Sequence, residues 1–172
     1  MRSLLLLASV LATLLTTLLT AGCGFQLRGT AVLPFDTLYM PPAGGGGIAV
    51  DLKRNIQSGT RTKVIDDPRA ARALLEFTQE VREKQILSLN AAGRVREFRL
   101  LYRVAFRVHD GKGGDFVPPN TVQLTRDVTY NDADILAKEA EETLLYRDMQ
   151  FDMVQQIIRL LAAATPPKPA VQ

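Results

Sequence analysis

Residues 73–109 read ALLEFTQEVREKQILSLNAAGRVREFRLLYRVAFRVH. In the second half of this stretch Phe98, Leu100, Tyr102, Val104, Phe106 and Val108 take every second position without interruption. Successive side chains leave a strand on opposite sides, so this period of two marks a long strand with one buried face. In the first half Leu75, Phe77, Val81, Leu87 and Leu89 share one parity. Asn90-Ala91-Ala92-Gly93 lies between the two runs and is a tight-turn sequence. With Leu89 facing Arg94, an uninterrupted register sets Leu75 opposite Val108, Phe77 opposite Phe106 and Val81 opposite Tyr102. The same register sets Glu76 opposite Arg107 and Glu80 opposite Arg103 on the other side. A slip of one residue would destroy both matches, so the pattern specifies a hairpin.

The flanks complete the fold class. Thr121–Tyr130 alternates Val122, Leu124, Val128 and Tyr130 and reads as a third antiparallel strand. It follows a polar loop, Asp110–Asn120, that ends in Pro118-Pro119. Asn131 or Asp132 can cap the next segment, which runs to about Ala164 without Gly or Pro. One apolar line of that helix passes through Leu136, Ala140, Leu144, Phe151, Val154, Ile158 and Leu161. A second passes through Ile135, Tyr146, Met149, Met153, Ile157 and Leu160. The arc is wider than one core contact needs, and Thr165-Pro166-Pro167-Lys168-Pro169 ends it. Upstream, Thr37–Met40 is a short strand, broken by Pro41-Pro42 and Gly44–Gly47. Ile48, Leu52 and Ile56 mark a short amphipathic helix over 48–58, and Thr62–Ile65 is a candidate edge strand before the Asp66-Asp67-Pro68 turn. The order is that of an α+β protein: two helices packed on one face of a mostly antiparallel four-stranded sheet. The expected organisation is a leader over 1–22, one domain over 23–164 and a disordered tail over 165–172.

Composition narrows the function. The 172 residues are 47% hydrophobic and 23% charged, which suits one globular domain and not a disordered chain. One cysteine excludes a disulfide framework, and with one histidine it leaves no ligand set for zinc, so no metal and no cofactor are expected. Met1-Arg2 supplies a positive start, Leu4–Leu19 an uncharged apolar run, and Thr20-Ala21-Gly22-Cys23 small residues before the lone cysteine. That run is shorter than the roughly 20 residues of a spanning helix and describes a secretory signal peptide. Small residues before a cysteine resemble a bacterial lipobox, although Thr20 stands where Leu is usual. Cys23 is therefore the expected lipidation site. Burial contributes about 0.8 kcal/mol per acyl CH₂, so three chains would hold the protein to a membrane that it does not span. Gly24 follows the cysteine, and no Asp of the inner-membrane retention kind, which points to the outer membrane.

Catalytic patterns are scarce. No Gly-x-Ser-x-Gly occurs, His109 stands at a strand end without an obvious nucleophile, and Asp66-Asp67 and Glu141-Glu142 read as solvated charges. The expectation is a protein that is not an enzyme. Formal net charge is +3, and loss of the leader removes only Arg2, so nothing in the overall balance calls for nucleic acid. Locally, Arg99, Arg103 and Arg107 share the strand face away from the core. In the uninterrupted register Lys84 falls opposite Arg99, and Arg94 and Arg96 lie by the turn. Arginine presents a planar fork matched to phosphate, so this end is a candidate site for a large phosphorylated anion. For an exported, membrane-held chain, lipopolysaccharide is the abundant one.

At these residues the chain resembles the LPS-assembly lipoprotein family, LptE (RlpB). The resemblance lies in Ala21-Gly22-Cys23-Gly24-Phe25-Gln26-Leu27-Arg28-Gly29, in Glu97-Phe98 early in the long strand, and in Arg126–Lys138 (RDVTYNDADILAK). The last helix with Ile157-Ile158-Arg159-Leu160 fits as well. The resemblance implies two helices on a four-stranded sheet and a plug seated in the LptD β-barrel. It also implies lipopolysaccharide binding by basic residues near the hairpin turn and the start of the last helix. Lys138 matches the family motif directly; at the turn Asn90-Ala91-Ala92 is uncharged and the cations follow at Arg94 and Arg96. The expected contacts are thus Lys84, Arg94, Arg96, Arg99 and Lys138, with the protein on the periplasmic side of the outer membrane. A scaffold lipoprotein of another envelope assembly machine, binding protein only, is the other reading. A carrier of lipid monomers is a third, opposed by apolar residues that look committed to one core.

Overall fold

The computed structural model describes residues 31–42, 47–131 and 134–167. The leader, Cys23, the extended segment as far as Thr30, Gly44–Gly46, the cap at Asp132 and the tail from Lys168 lie outside them. The elements are β1 (Thr37–Tyr39), α1 (Ile48–Gly59), β2 (Lys63–Ile65), β3 (Ala73–Leu89), β4 (Val95–His109), β5 (Asp115–Thr129) and α2 (Ile135–Ala162). They form one five-stranded sheet in the order β2-β1-β3-β4-β5. The α+β class stands, but the sheet is mixed and not four-stranded. β1 runs parallel to both β2 and β3, while β3, β4 and β5 are antiparallel. A parallel neighbour needs a crossover, and α1 supplies it between β1 and β2.

The β3–β4 hairpin forms in the expected register only at its base. There Leu75 faces Val108, Glu76 faces Arg107 and Phe77 faces Phe106. An irregularity between Phe77 and Gln79 then adds one residue to β3. Beyond it Glu80 faces Val104, Val81 faces Arg103, Arg82 faces Tyr102 and Lys84 faces Leu100. An extra residue in one strand reverses the parity of everything after it. Val81 therefore leaves the core side, and Glu80, Arg82 and Lys84 take its place over the apolar positions of β4.

The core lies between the sheet and both helices. Ile48, Leu52 and Ile56 of α1 and Met149, Met153, Val154, Ile157 and Leu161 of α2 are buried with Leu38, Leu75, Leu100, Tyr102, Val104, Phe106 and Val108. Each fully buried aliphatic side chain contributes roughly 1.5–3 kcal/mol of transfer free energy. The helices are also tied side by side, Gln150 Nε2 donating to Asp51 Oδ2 at 2.5 Å and Gln155 Nε2 to Asn55 Oδ1 at 3.3 Å. The apolar residues are not all committed to this core, in contrast to the expectation. Leu136, Leu144 and Phe151 stand exposed along α2, and Ile86, Leu87 and Leu89 along the end of β3.

The polar loop is also shorter than its composition implies. β5 starts at Asp115, so Phe116, Val117, Pro118 and Pro119 belong to a strand. β5 is an edge strand, where a proline's missing N–H forfeits no ladder bond on its open side. What remains of the loop closes on Asp110, whose Oδ1 accepts the N–H groups of Lys112 at 2.7 Å and Gly114 at 2.9 Å. Those two donors hold the Asp110 carboxyl below its ordinary range. Gly111 and Gly113, with φ of 71° and 97°, supply the left-handed backbone that the turn requires.

Candidate functional site

The candidate site is the turn end of the hairpin with the start of α2. Asn90 closes the turn from its side chain, Oδ1 accepting the N–H of Ala92 at 2.9 Å and of Arg94 at 3.0 Å, and Gly93 sits at φ 74°. Arg94 thus leaves the turn directly into β4, with exposed Arg96 two residues on. The Arg96 carbonyl accepts the Tyr130 N–H at 2.8 Å, which locks the end of β5 beside it. Phe98 and Tyr130 meet edge to face at 5.2 Å.

Lys84 lies on this aromatic pair, its Nζ 4.3 Å from the Phe98 ring centre and 6.0 Å from that of Tyr130. It also donates to Glu142 at 2.5 Å. Lys138 donates to Glu141 at 2.8 Å and reaches Thr129 Oγ1 at 3.4 Å. Lys84, Arg96 and Lys138 are therefore brought to one end through Thr129 and Tyr130, and Arg94 stands at the turn two residues before Arg96. Arg99 is not brought there with them. It leaves on the helix-free face and clasps Asp127 with two bonds of 2.7 and 2.9 Å. The bulge is the cause: it sends Lys84 to the helix side, opposite Leu100, and leaves Gln85 facing Arg99. The other arginines of that face are engaged too, Arg103 with Gln123 at 3.0 Å and Arg107 with Glu76 at 2.6 Å.

The α2 carboxylates that looked merely solvated hold the two lysines. Exposed ion pairs of this kind contribute about 0–1 kcal/mol, so a phosphate can replace Glu141 or Glu142 as partner at little cost. The same elements carry exposed apolar groups: Ile86 and Leu89 of β3 and Leu136 of α2 are 61%, 56% and 82% exposed. A site that joins cations, aromatic faces and exposed aliphatic carbons suits an anionic amphiphile.

Sequence reading missed Arg82, because the uninterrupted register turned it away from the helices. In the structure it lies 4.8 Å over the Tyr102 ring, bonds Gln150 of α2 and approaches Glu80 at 3.9 Å. Tyr102 donates to Glu80 at 2.7 Å, and burial and that carboxylate push its hydroxyl well above the ordinary tyrosine value. Tyr146 donates to the Glu83 carbonyl at 2.8 Å. A polar layer therefore joins α2 to β3 where the apolar core ends. The run of Glu80, Arg82 and Lys84 on one parity was the available signal.

The fold is that of an α+β domain with two helices on a mixed five-stranded sheet. Among the described residues no helix is long and apolar enough to cross a membrane, and no cluster of three or more metal-binding side chains occurs. The family model described as "LptE: Lipopolysaccharide-assembly" matches residues 30–161. The chain belongs to this family of lipoproteins of outer-membrane biogenesis. It is 27% identical over 150 residues to the LPS-assembly lipoprotein LptE of Pectobacterium atrosepticum, covering 86% of this chain and 80% of that protein. Among solved structures it is similar to the uncharacterized lipoprotein B from Nitrosomonas europaea, at 44% identity and a TM-score of 0.71, covering 81% of this chain and 91% of that one. The rare lipoprotein B from Shewanella oneidensis shares the fold, with a TM-score of 0.64 at 23% identity over 74% of this chain and 94% of that one.

Proposed function

We propose that this chain is a lipid-anchored protein of the periplasmic side of the outer membrane. In this reading it seats in the LptD β-barrel and binds lipopolysaccharide on its way to the outer leaflet. The observation that carries the reading is the turn end of the hairpin, where Lys84, Arg94, Arg96 and Lys138 stand with exposed Ile86 and Leu89 of β3 and Leu136 of α2 in a chain of the LptE family. The cations take the phosphates of the lipopolysaccharide and the aliphatic groups meet the start of its acyl chains. No bond is made or broken in this role; the domain lowers the free energy of a lipid held out of its aggregate. Its helix-free face, with Arg99, Arg103 and Arg107 already paired, is the surface offered to a barrel wall.

Titration of the purified chain with lipopolysaccharide tests the site. The combined Arg94→Ala, Arg96→Ala and Lys138→Ala variant is expected to bind about tenfold more weakly or worse, since charge-assisted phosphate bonds contribute roughly 1.5–3 kcal/mol when partly shielded. Wild-type binding should fall with added salt. Superimposable curves for the two proteins would leave a scaffold and no lipid site. The partner is tested separately by affinity purification from membranes, where absence of a large barrel sinks the LptD assignment. The anchor is tested by the mass of the mature N-terminus, where an unmodified Cys23 ends the lipidation reading.

A further inference from the structure

At the end of the sheet opposite the hairpin turn lies a cavity of about 580 Å³, a size ordinary for small-ligand sites. Leu74, Phe116 and Pro167 give it an apolar wall, and Arg69, Arg72 and Lys112 bring cations to it. Most sheet cations are already engaged; Arg99, Arg107 and Arg126, for example, each clasp a carboxylate. Arg69 and Arg72 differ. Only their backbone N–H groups are engaged, with Asp67 Oδ1 and Thr37 Oγ1, both at 2.9 Å. Among the described residues neither guanidinium has a hydrogen-bond or ion-pair partner.

Asp110 also lines the cavity, and its carboxylate is engaged by its own loop. Its Oδ1 is held by the N–H groups of its own loop, and Lys112 adds a further positive neighbour. The apolar wall is fitted to that loop. A Cβ on Gly114 would stand 2.5 Å from Pro167 Cβ, so only glycine at 114 lets the segment after α2 seat there.

The position of the cavity suggests its occupant. The chain enters the domain at the same end: the Ala31 N–H donates to the Gly59 carbonyl at 3.1 Å, and Thr37, which holds Arg72, opens β1. Cys23 stands eight residues before Ala31, a reach on the order of 28 Å when extended. We infer that this cavity seats the phosphodiester headgroup of a glycerophospholipid from the leaflet that holds the anchor. The two free guanidinium forks meet the phosphate, and Leu74, Phe116 and Pro167 meet the glycerol and the first acyl carbons. This inference rests on the lipid anchor proposed above. It adds an orientation: the base of the sheet faces the leaflet and the hairpin turn points away from it.

The test uses the full lipidated chain in nanodiscs and follows amide hydrogen exchange at Asp110–Gly114. Exchange should slow about threefold or more when phosphatidylglycerol replaces part of the phosphatidylcholine, because a bound headgroup opposes local opening. The Arg69→Gln/Arg72→Gln variant should lose that response while the α1 and α2 amides stay protected. Gly114→Ala, which keeps every charge but displaces the Pro167 wall, should reduce the response. Equal exchange in the two kinds of disc overturns the inference, as does an unchanged response in either variant. Inorganic phosphate giving the same protection in phosphatidylcholine discs would assign a free-anion site and overturn the lipid. The mass of the N-terminus, taken on the same sample, tells failure of the anchor from failure of the cavity.

Discussion

The two halves of the β3–β4 hairpin, on either side of Thr78, are built for different purposes. Toward the base Leu75 and Phe77 meet Val108 and Phe106 in plain alternation, and Leu75, Phe106 and Val108 are buried. Toward the turn the same side of β3 carries Glu80, Arg82 and Lys84 over Val104, Tyr102 and Leu100. There α2 covers the apolar residues of β4, and the polar groups of β3 tie α2 down through Gln150 and Glu142. One inserted residue thus divides a hairpin into a half that supplies the core and a half that presents a polar and aromatic surface next to exposed aliphatic groups.

The largest effect that can break this comparison comes from the base half. Phe106→Ala should cost about 3–5 kcal/mol in urea unfolding, as aromatic truncations in a core do, whereas Ile86→Ala in the turn half should cost less than about 0.5 kcal/mol. Similar losses at both sites would erase the division. A sharper contrast lies within β3 itself. Arg82→Ala should cost about 1–2 kcal/mol through lost cation–π and hydrogen-bond contacts, and Val81→Thr clearly less, because Val81 faces Arg103 on the helix-free side. The reverse order would restore the uninterrupted register.

Tyr102 gives a pH test of the polar layer. Its hydroxyl is raised in the folded state, so its contribution is complete below the ordinary value of 10.0 and is lost as pH rises beyond it. Thermal melts of the wild type should therefore fall more steeply above pH 10 than those of Tyr102→Phe, and parallel slopes would remove the Tyr102–Glu80 bond from the account. The smallest effect belongs to the exposed Arg99–Asp127 pair. Arg99 holds the Asp127 carboxyl below 3.8, so its stabilisation is present above that value and is lost as pH falls through the folded-state value. Asp127→Asn should leave the neutral-pH melting temperature unchanged within error and flatten only the acid limb, whereas a clear loss at neutral pH would make the helix-free face part of the stability half.

Much of the candidate site was legible in the sequence as a set of residues but not as an arrangement. Arg94 and Arg96 follow a turn that Asn90 and Gly93 announce, and Lys138 opens a helix that its periodicity announces. The common end of Arg94 and Arg96 follows from the hairpin alone, whereas Lys138 joins them only through its tertiary contact with Thr129 of β5. The opposite faces of Lys84 and Arg99 depend on a bulge between Phe77 and Gln79, whose one trace in the sequence is the run of Glu80, Arg82 and Lys84 on a single parity. The base cavity was illegible altogether: Arg69, Arg72, Lys112 and Pro167 come from separate segments and carry no shared period.

The sequence by itself determined the α+β class, the hairpin with its base register, the third antiparallel strand and both helices. Each of these rests on a local period of 2 or 3.6, or on a turn residue whose backbone preference acts within a few positions. Tertiary structure alone decided that Thr37–Tyr39 and Lys63–Ile65 join the sheet in parallel, and that Phe116–Pro119 extends β5. It alone decided which arginines spend their charge inside the fold. Three-residue strands carry too few alternations to show a period, and an edge strand accepts prolines that would stop a central one. An ion pair is chosen by distances between segments that no single stretch of chain records.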